Sequence, residues 1–162
     1  MEELPLEVLV IEDNQGDVRL IEAGFADSSV ECSVTVVDNG EEALDYLFRR
    51  NGYESTGRPD LVLLDLNVPK QDGRAVLGQV QDEPELSSTP FVVLTGSRTD
   101  NHVHETYQLG AAGYFVKPVD PHEFMSLVES VADARASAGS VPSGEYSDLD
   151  SLHKRQSNQG SD

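Results

Sequence analysis

The sequence predicts an α/β fold in which a doubly wound, five-stranded parallel sheet is covered by helices on both faces. Two observations predict it. Short apolar runs recur along the chain, and each is followed by a stretch whose apolar residues repeat at helical spacing. Continuous apolar runs are typical of parallel strands buried on both faces. Their alternation with helices predicts βα units joined by right-handed crossovers.

Five such units follow one another. The strands are predicted from VLVI at 8–11, VTVV at 34–37, LVLL at 61–64, FVVL at 91–94 and YFV at 114–116. The helices are predicted from apolar stripes made by Val18, Ile21 and Phe25; Ala43, Leu44, Leu47 and Phe48; Val76, Leu77 and Val80; Val103, Tyr107 and Gly110; and Phe124, Leu127, Val128 and Val131. The last helix has a defined start, with Asp120 as N-cap and Pro121 directly after it.

One domain accounts for the periodic part of the chain. At 162 residues the chain is long enough to bury a sizeable core. We expect the folded domain over residues 1–136, and a disordered, acidic, Ser/Gly-rich tail over residues 137–162. Tyr146, Leu149 and Leu152 leave a short docking segment open as an alternative to an inert tail.

The chain is strongly acidic, with thirty acidic against eleven basic residues and a formal net charge of -19. Such a surface repels nucleic acid and anionic membranes, so neither is expected as a partner. At molar salt, where the screening length is about 3 Å, the same surface stays soluble. We therefore expect a halophilic protein, with an ordinary acidic signalling protein as the alternative. No signal peptide pattern or bilayer-length apolar run is present in the sequence, which indicates a cytoplasmic protein.

Polar side chains follow four of the five predicted strands. Glu12 and Asp13 follow the first strand, Asp65 the third, Thr95 the fourth and Lys117 the fifth. Because functional crevices in open parallel sheets lie beyond the carboxyl ends of the strands, we expect these side chains to converge. Asp65 is the most informative of them, since a carboxylate that ends a buried apolar run costs desolvation unless it is paired.

Three carboxylates in one crevice need compensating charge. Two like charges about 5 Å apart repel by roughly 3 kcal/mol at an effective dielectric near 20. Lys117 offsets part of this repulsion, and a hard divalent cation would offset the rest. Mg²⁺ suits the site because it takes a few carboxylate oxygens and keeps waters that phosphate oxygens displace. The residues therefore indicate phosphoryl acceptance by Asp65, with the Thr95 hydroxyl and the Lys117 ammonium binding phosphate oxygens.

Four motifs make the chain similar to the receiver domain of two-component response regulators. They are IEDN at 11–14, LLDLNVPKQDG at 63–73, VLTGS at 93–97 and YFVKPV at 114–119. The resemblance covers roughly residues 4–135 and implies a (βα)5 flavodoxin-like receiver fold. The long connection at 49–60, the phrase LLDLNVPKQDGR and the absence of an output domain most resemble the single-domain regulators paired with phytochrome-type sensor kinases.

The resemblance assigns a role to each strand-end residue and adds several others. It implies Asp65 as phosphoacceptor; Asp13 as a direct Mg²⁺ ligand, Glu12 as a ligand through water and Asn67 as a ligand through its backbone carbonyl; Lys117 as phosphate partner; Thr95 and Tyr114 as the switch pair; and Asn67 and Ser97 as residues that tune the lifetime of the phosphate. It also implies a sensor histidine kinase as phosphodonor, output through protein contacts and a cis peptide bond before Pro118. A homodimer through the last two helices and the last strand stays open.

Two other functions are weighed against this one. A magnesium-dependent phosphatase that forms an aspartyl phosphate would carry a second aspartate, as general acid, two residues after the nucleophile, where this chain has Asn67. A degenerate receiver that acts as an unphosphorylated adaptor would lack part of the constellation, which is complete here. We therefore expect no enzyme in the usual sense, but a phosphoacceptor protein with self-catalysed phosphoryl transfer and slow autodephosphorylation at most.

Overall fold

The computed structural model describes residues 4–96, 104–105 and 107–138. Its strands are β1 (Leu6–Ile11), β2 (Cys32–Val37), β3 (Leu61–Asp65), β4 (Phe91–Thr95) and β5 (Gly113–Val116). Its helices are α1 (Gln15–Asp27), α2 (Gly40–Leu47), α3 (Gly73–Val80) and α4 (Pro121–Ala138), with a 3-10 turn at Pro84–Leu86. The helix predicted around 103–110 lies partly outside the described residues, and 104–105 and 107–108 are helical within it. Residues 139–162 of the predicted tail also lie outside them.

The strands form one parallel sheet in the order β2-β1-β3-β4-β5. The chain passes from β1 outward to β2, then returns past β1 to β3 and continues to β5. This is the doubly wound sheet that the sequence predicts. The strand order reverses beside β1, so the crevice beyond the carboxyl ends of β1 and β3 is where such folds place their binding sites.

The two faces of the sheet pack against different helices. Alternate residues of each central strand point to opposite faces, so every residue of β3 is buried. On one face, Leu9, Val62, Leu64 and Val93 pack in a cluster with the apolar stripes of α2 and α3. On the other face, Val8, Val10, Leu63 and Phe115 pack in a cluster with α1 and α4. The rings of Phe25 and Phe124, 4.7 Å apart edge to face, join α1 to α4.

Each helix begins at a polar cap close to the carboxyl edge of the sheet. The side chains of Asn14, Asn39 and Asp72 accept backbone N–H groups at the starts of α1, α2 and α3. Asp120 does the same for α4, where it accepts from the backbone N–H groups of residues 122 and 123, so the predicted cap is confirmed. The positive ends of these helix dipoles therefore lie on the side of the crevice. None of the described helices has the length and apolar character that crossing a bilayer requires.

Candidate functional site

The carboxyl ends of β1, β3, β4 and β5 bring the strand-end residues together. Asp65 is the last residue of β3 and Thr95 the last residue of β4, and both are buried. Glu12 directly follows β1, and Lys117 directly follows β5. The backbone N–H of Lys117 donates to the carbonyl of Thr95 at 2.7 Å, which extends the β4–β5 pairing to the edge of the crevice.

The Lys117 ammonium lies at the centre of the cluster. Its Nζ is 2.8 Å from Oε1 of Glu12, 2.9 Å from Oδ2 of Asp17 and 2.9 Å from Oδ2 of Asp65. Burial by itself lowers the pKa of Lys117, but the interactions with Glu12, Asp65 and Asp17 outweigh it and raise that pKa above its ordinary value. The ammonium therefore stays charged throughout the physiological pH range.

Both carboxylate oxygens of Asp65 have partners. Oδ1 accepts a hydrogen bond from the backbone N–H of Asn67 at 2.9 Å, and Oδ2 accepts one from Lys117 at 2.9 Å. The side chain is only 8% exposed. These two contacts fix the rotation of the carboxylate, so one buried acid is presented to the crevice in a defined orientation.

Glu12 is the most deeply buried acid of the cluster, with 0% exposure. Its Oε2 accepts a hydrogen bond from the backbone N–H of Asn14 at 3.1 Å. Its Oε1 lies at ion-pair distance from Lys117, but no donor in the described part of the chain makes a well-directed hydrogen bond to it. Burial raises the pKa of Glu12 to about 7, against the opposing effect of Lys117 and with a further increase from Asp65.

The acid cluster fits a hard divalent cation. Carboxylate oxygens of Glu12, Asp13 and Asp65 all lie within 4.8 Å of one another. Asp13 is exposed and the other two are buried, so the group opens to solvent on one side. An all-oxygen donor set is what Mg²⁺ and similar ions prefer, and the buried Oε1 of Glu12 without a hydrogen bond is an oxygen that such an ion, or its water, would satisfy.

Thr95 and Tyr114 lie on neighbouring strands. Tyr114 pairs in register with Val93, two residues before Thr95 along β4. Tyr114 is 8% exposed, and its ring packs edge to face with that of Tyr107 at 6.2 Å between centroids. The aromatic is therefore held between the sheet and the helical segment that contains residues 107–108. Ser97, predicted to tune the lifetime of the phosphate, lies outside the described residues.

Sequence reasoning missed Asp17. This residue lies in the first turn of α1, and its backbone N–H donates to the N-cap side chain of Asn14 at 2.9 Å. An acid in a first helical turn is common because it faces the helix dipole, so its presence there gave no sign of a role in the crevice. The signal that could have identified Asp17 is its spacing from Asn14. Asp17 follows that N-cap by three residues, which places it in the first turn of α1, at the end of the helix that begins beside the crevice.

The loop after β3 is braced against α2. Gln71 and Lys70 adopt left-handed backbone conformations, with φ of 71° and 51°, which are uncommon for residues other than glycine. The backbone N–H of Gly40, at the start of α2, donates to the carbonyl of Pro69 at 3.0 Å. A Cβ atom on Gly40 would lie 1.6 Å from the carbonyl oxygen of Gln71, so only glycine permits this contact.

A family model described as the response regulator receiver domain matches residues 8–129. The chain belongs to this family. The response regulator Rcp1 of Synechocystis sp. is 33% identical over 127 residues, which are 78% of this chain and 86% of that protein. The crystal structure of the phosphorylated cyanobacterial phytochrome response regulator RcpA is 34% identical with a TM-score of 0.71, covering 86% of this chain and 99% of that one. The structure of Mn²⁺-bound Rcp1 is 31% identical with a TM-score of 0.70, covering 85% and 99%.

These similarities confirm several predictions from the sequence. The flavodoxin-like receiver fold is confirmed, as is the resemblance to the regulators associated with phytochromes. The protein is a phosphorylation-activated signalling switch of the receiver class, a phosphoacceptor rather than an enzyme in the usual sense. Receivers of this class bind a divalent metal ion and take their phosphoryl group from histidine kinases. The bond between Lys117 and Pro118 is cis, as the resemblance implies.

Proposed function

We propose that this receiver accepts its phosphoryl group on Asp65, from a sensor histidine kinase of the phytochrome type. The observation that carries the proposal is the setting of Asp65, a buried carboxylate at the end of β3 that is held at 2.9 Å by Lys117 and shares its surroundings with Glu12 and Asp13. The similarity to RcpA and Rcp1 supports the class of the kinase.

In the proposed transfer, a carboxylate oxygen of Asp65 forms a bond to phosphorus while the nitrogen–phosphorus bond of the donor phosphohistidine breaks. The leaving imidazole takes up a proton. The Lys117 ammonium and the Thr95 hydroxyl bind the phosphoryl oxygens and balance the charge that enters the site. Lys117 already lies next to Oδ2 of Asp65, so the cation is in place before the phosphoryl group arrives.

We assign the cation site to the carboxylates of Glu12, Asp13 and Asp65 and to the backbone carbonyl of Asn67, with Mg²⁺ as the ion. When bound, the ion supplies positive charge that offsets the repulsion among these carboxylates and the phosphoryl oxygens. Within the protein, Glu12 orients toward this position through the hydrogen bond between its Oε2 and the backbone of Asn14. The solved Mn²⁺-bound form of Rcp1 supports a divalent ion as a ligand of a receiver with this fold.

The proposed switch is the pair of Thr95 and Tyr114. Phosphorylation would draw the Thr95 hydroxyl toward the phosphoryl group, and Tyr114 would move into the space that this leaves. The packing of Tyr114 against Tyr107 would couple that movement to the face formed by the helical residues 104–105 and 107–108, β5 and α4. Asn67 and Ser97 would set how long the phosphate survives, with slow autodephosphorylation at most.

The proposed setting is the cytoplasm of a cell with high internal salt. Output would pass through protein contacts, without nucleic acid, because a net charge of -19 repels phosphate backbones. The predicted boundary at residue 136 falls two residues before the end of α4 at Ala138, so we place the end of the folded domain at Ala138 and the predicted tail after it.

The test is intact-mass analysis after incubation with Mg²⁺ and acetyl phosphate in molar potassium chloride. We expect one added phosphoryl group on the wild type and none on Asp65→Asn. The control is Asp72→Asn, which changes an acid in the same loop but keeps an N-cap for α3, and it should be phosphorylated like the wild type. A phosphoryl group on Asp65→Asn would overturn the assignment. If folded wild type gains none, binding of beryllofluoride would distinguish a short-lived phosphate from an unphosphorylated adaptor.

A further inference from the structure

We propose that Asp17 is a positioning residue that holds the Lys117 ammonium in place for phosphoryl transfer, an inference that rests on the proposed function. The Asp17 carboxylate forms an ion pair with Lys117, at 2.9 Å between Oδ2 and Nζ. Lys117 in turn lies 2.9 Å from Oδ2 of Asp65, the proposed acceptor. The lysine thus stands between the two aspartates, and the effect of Asp17 on the reaction passes through it.

The three carboxylates around Lys117 differ in what happens to them during the reaction. Asp65 becomes an acyl phosphate and loses its own charge. Glu12 belongs to the proposed cation site, so part of its charge is directed toward the ion. Asp17 has neither role, and it remains an anion beside Lys117 before and after transfer. It is thus the partner that can hold the ammonium in both states.

The backbone of Asp17 is well placed to act as a fixed anchor. Its N–H donates to Oδ1 of Asn14 at 2.9 Å, and the N–H of Asn14 donates to Oε2 of Glu12 at 3.1 Å. The first turn of α1 is therefore tied to the residue that follows β1. The Asp17 side chain is 26% exposed, so it forms the rim of the crevice while Asp65 forms the floor.

Removing Asp17 should lower the maximal rate of phosphorylation without raising the half-saturating donor concentration, and this combination makes the proposal testable. Without its anchor, Lys117 loses one of three restraints and is less often aligned with the reacting phosphoryl group, so the rate at saturating donor falls. Removing a negative charge from the rim also reduces repulsion of an anionic phosphodonor, so the half-saturating donor concentration does not rise. A residue needed only for folding would produce neither change in the folded protein.

The experiment measures initial phosphorylation rates against acetyl phosphate concentration at saturating Mg²⁺ in molar potassium chloride. For Asp17→Ala we expect the maximal rate to fall on the order of ten-fold, with an unchanged or lower half-saturating concentration. Asp17→Asn should lie between Asp17→Ala and the wild type, because its amide oxygen still accepts a hydrogen bond from Lys117. Glu22→Gln removes an exposed charge elsewhere on α1 and should behave as the wild type does.

A wild-type maximal rate in Asp17→Ala would overturn the proposal, as would an equal loss in Glu22→Gln or a change confined to a higher half-saturating concentration. Thermal unfolding of each variant shows whether it is folded at the assay temperature. If Asp17→Ala is not folded, the comparison of Asp17→Asn with Glu22→Gln decides, and equal rates would contradict the proposal. Absence of phosphorylation in the wild type would instead overturn the proposed function itself.

Discussion

At the scale of single residues, the site balances burial against charge. The carboxylates of Glu12, Asp17 and Asp65 contact the ammonium of Lys117. A carboxylate oxygen of Asp13 lies within 4.8 Å of those of Glu12 and Asp65. Glu12 is fully buried, and its desolvation is the main cause of its raised pKa. A cluster with more acid than base is destabilised by its own repulsion, and added positive charge relieves that repulsion.

Glu12 should make the stability of the metal-free protein depend on pH. Its pKa is 4.5 in the unfolded chain and about 7 in the fold, so the unfolded state gives up its proton first as the pH rises. The free energy of unfolding should therefore fall between these values, by on the order of 3 kcal/mol. Glutamine does not ionise, so Glu12→Gln lacks this loss of stability. The free energy of unfolding of Glu12→Gln minus that of the wild type should therefore be larger at pH 8 than at pH 4.5.

Urea unfolding of both proteins at pH 4.5 and pH 8, in molar potassium chloride with a chelator, measures that difference. Comparison with Glu12→Gln removes the contribution of the acids outside the cluster, which both proteins share. The same stability difference at the two pH values would contradict the account of Glu12. Added Mg²⁺ should stabilise the wild type at pH 8, where Glu12 is ionised, more than it stabilises Glu12→Gln.

The site could be predicted from the sequence where a side chain ends a strand. Asp65, Thr95 and Lys117 each follow an apolar run, and topology alone brings strand ends together. Asp17 could not be found this way, because its contact with Lys117 depends on where α1 begins relative to the carboxyl ends of the strands. The raised pKa of Glu12 could not be predicted from the sequence either, because the complete burial of a residue just after a strand depends on packing.

At the scale of elements, the loop after β3 and the start of α2 form one unit. The carbonyl of Pro69 accepts from Gly40, and Gln71 lies so close that Gly40 has no room for a side chain. Since Asp65 immediately precedes this loop, the contact also helps to fix the carboxyl end of β3. Sequence patterns identified each element, but no local pattern identified the contact between them.

Gly40→Ala should therefore destabilise the protein by about 1–3 kcal/mol, because its Cβ would displace the backbone of Gln71. Gly78→Ala, within α3, is the control. Apart from the backbone of its own helix, no atom lies within 4 Å of a Cβ there, so helix propensity should make that variant neutral or up to about 1 kcal/mol more stable. Urea unfolding measures both, and a Gly40→Ala variant as stable as Gly78→Ala would contradict the close contact between loop and helix.

The first residues of β1 and β2 show why the boundaries of elements were harder to predict than the elements themselves. β1 begins at Leu6 and β2 at Cys32, before the apolar runs at 8–11 and 34–37. β2 is an edge strand with Ser33 exposed, so its early residues lack the continuous apolar character of a central strand. The central strand β3, buried throughout, could be predicted almost to the residue.

At the scale of the whole molecule, the main feature is the large negative net charge. With a net charge of -19, the folded chain repels itself, and the repulsion is largest when counterions are few. Salt at molar concentration shortens the screening length to about 3 Å and removes most of that repulsion. The thermal unfolding midpoint should therefore rise from dilute buffer to molar potassium chloride. Equal midpoints and equal hydrodynamic radii in the two solutions would contradict adaptation to high salt.

The central claim is that Asp65 is the residue that carries the phosphoryl group, and chemical mapping tests it most directly. Borohydride reduces an aspartyl phosphate to homoserine, which marks the acceptor permanently. Trypsin should release residues 51–70, a peptide that contains both Asp60 and Asp65. After treatment with Mg²⁺ and acetyl phosphate, fragmentation should place homoserine at position 65 and leave Asp60 unchanged. Homoserine at Asp60, Asp13 or another acid, with Asp65 intact, would contradict the account.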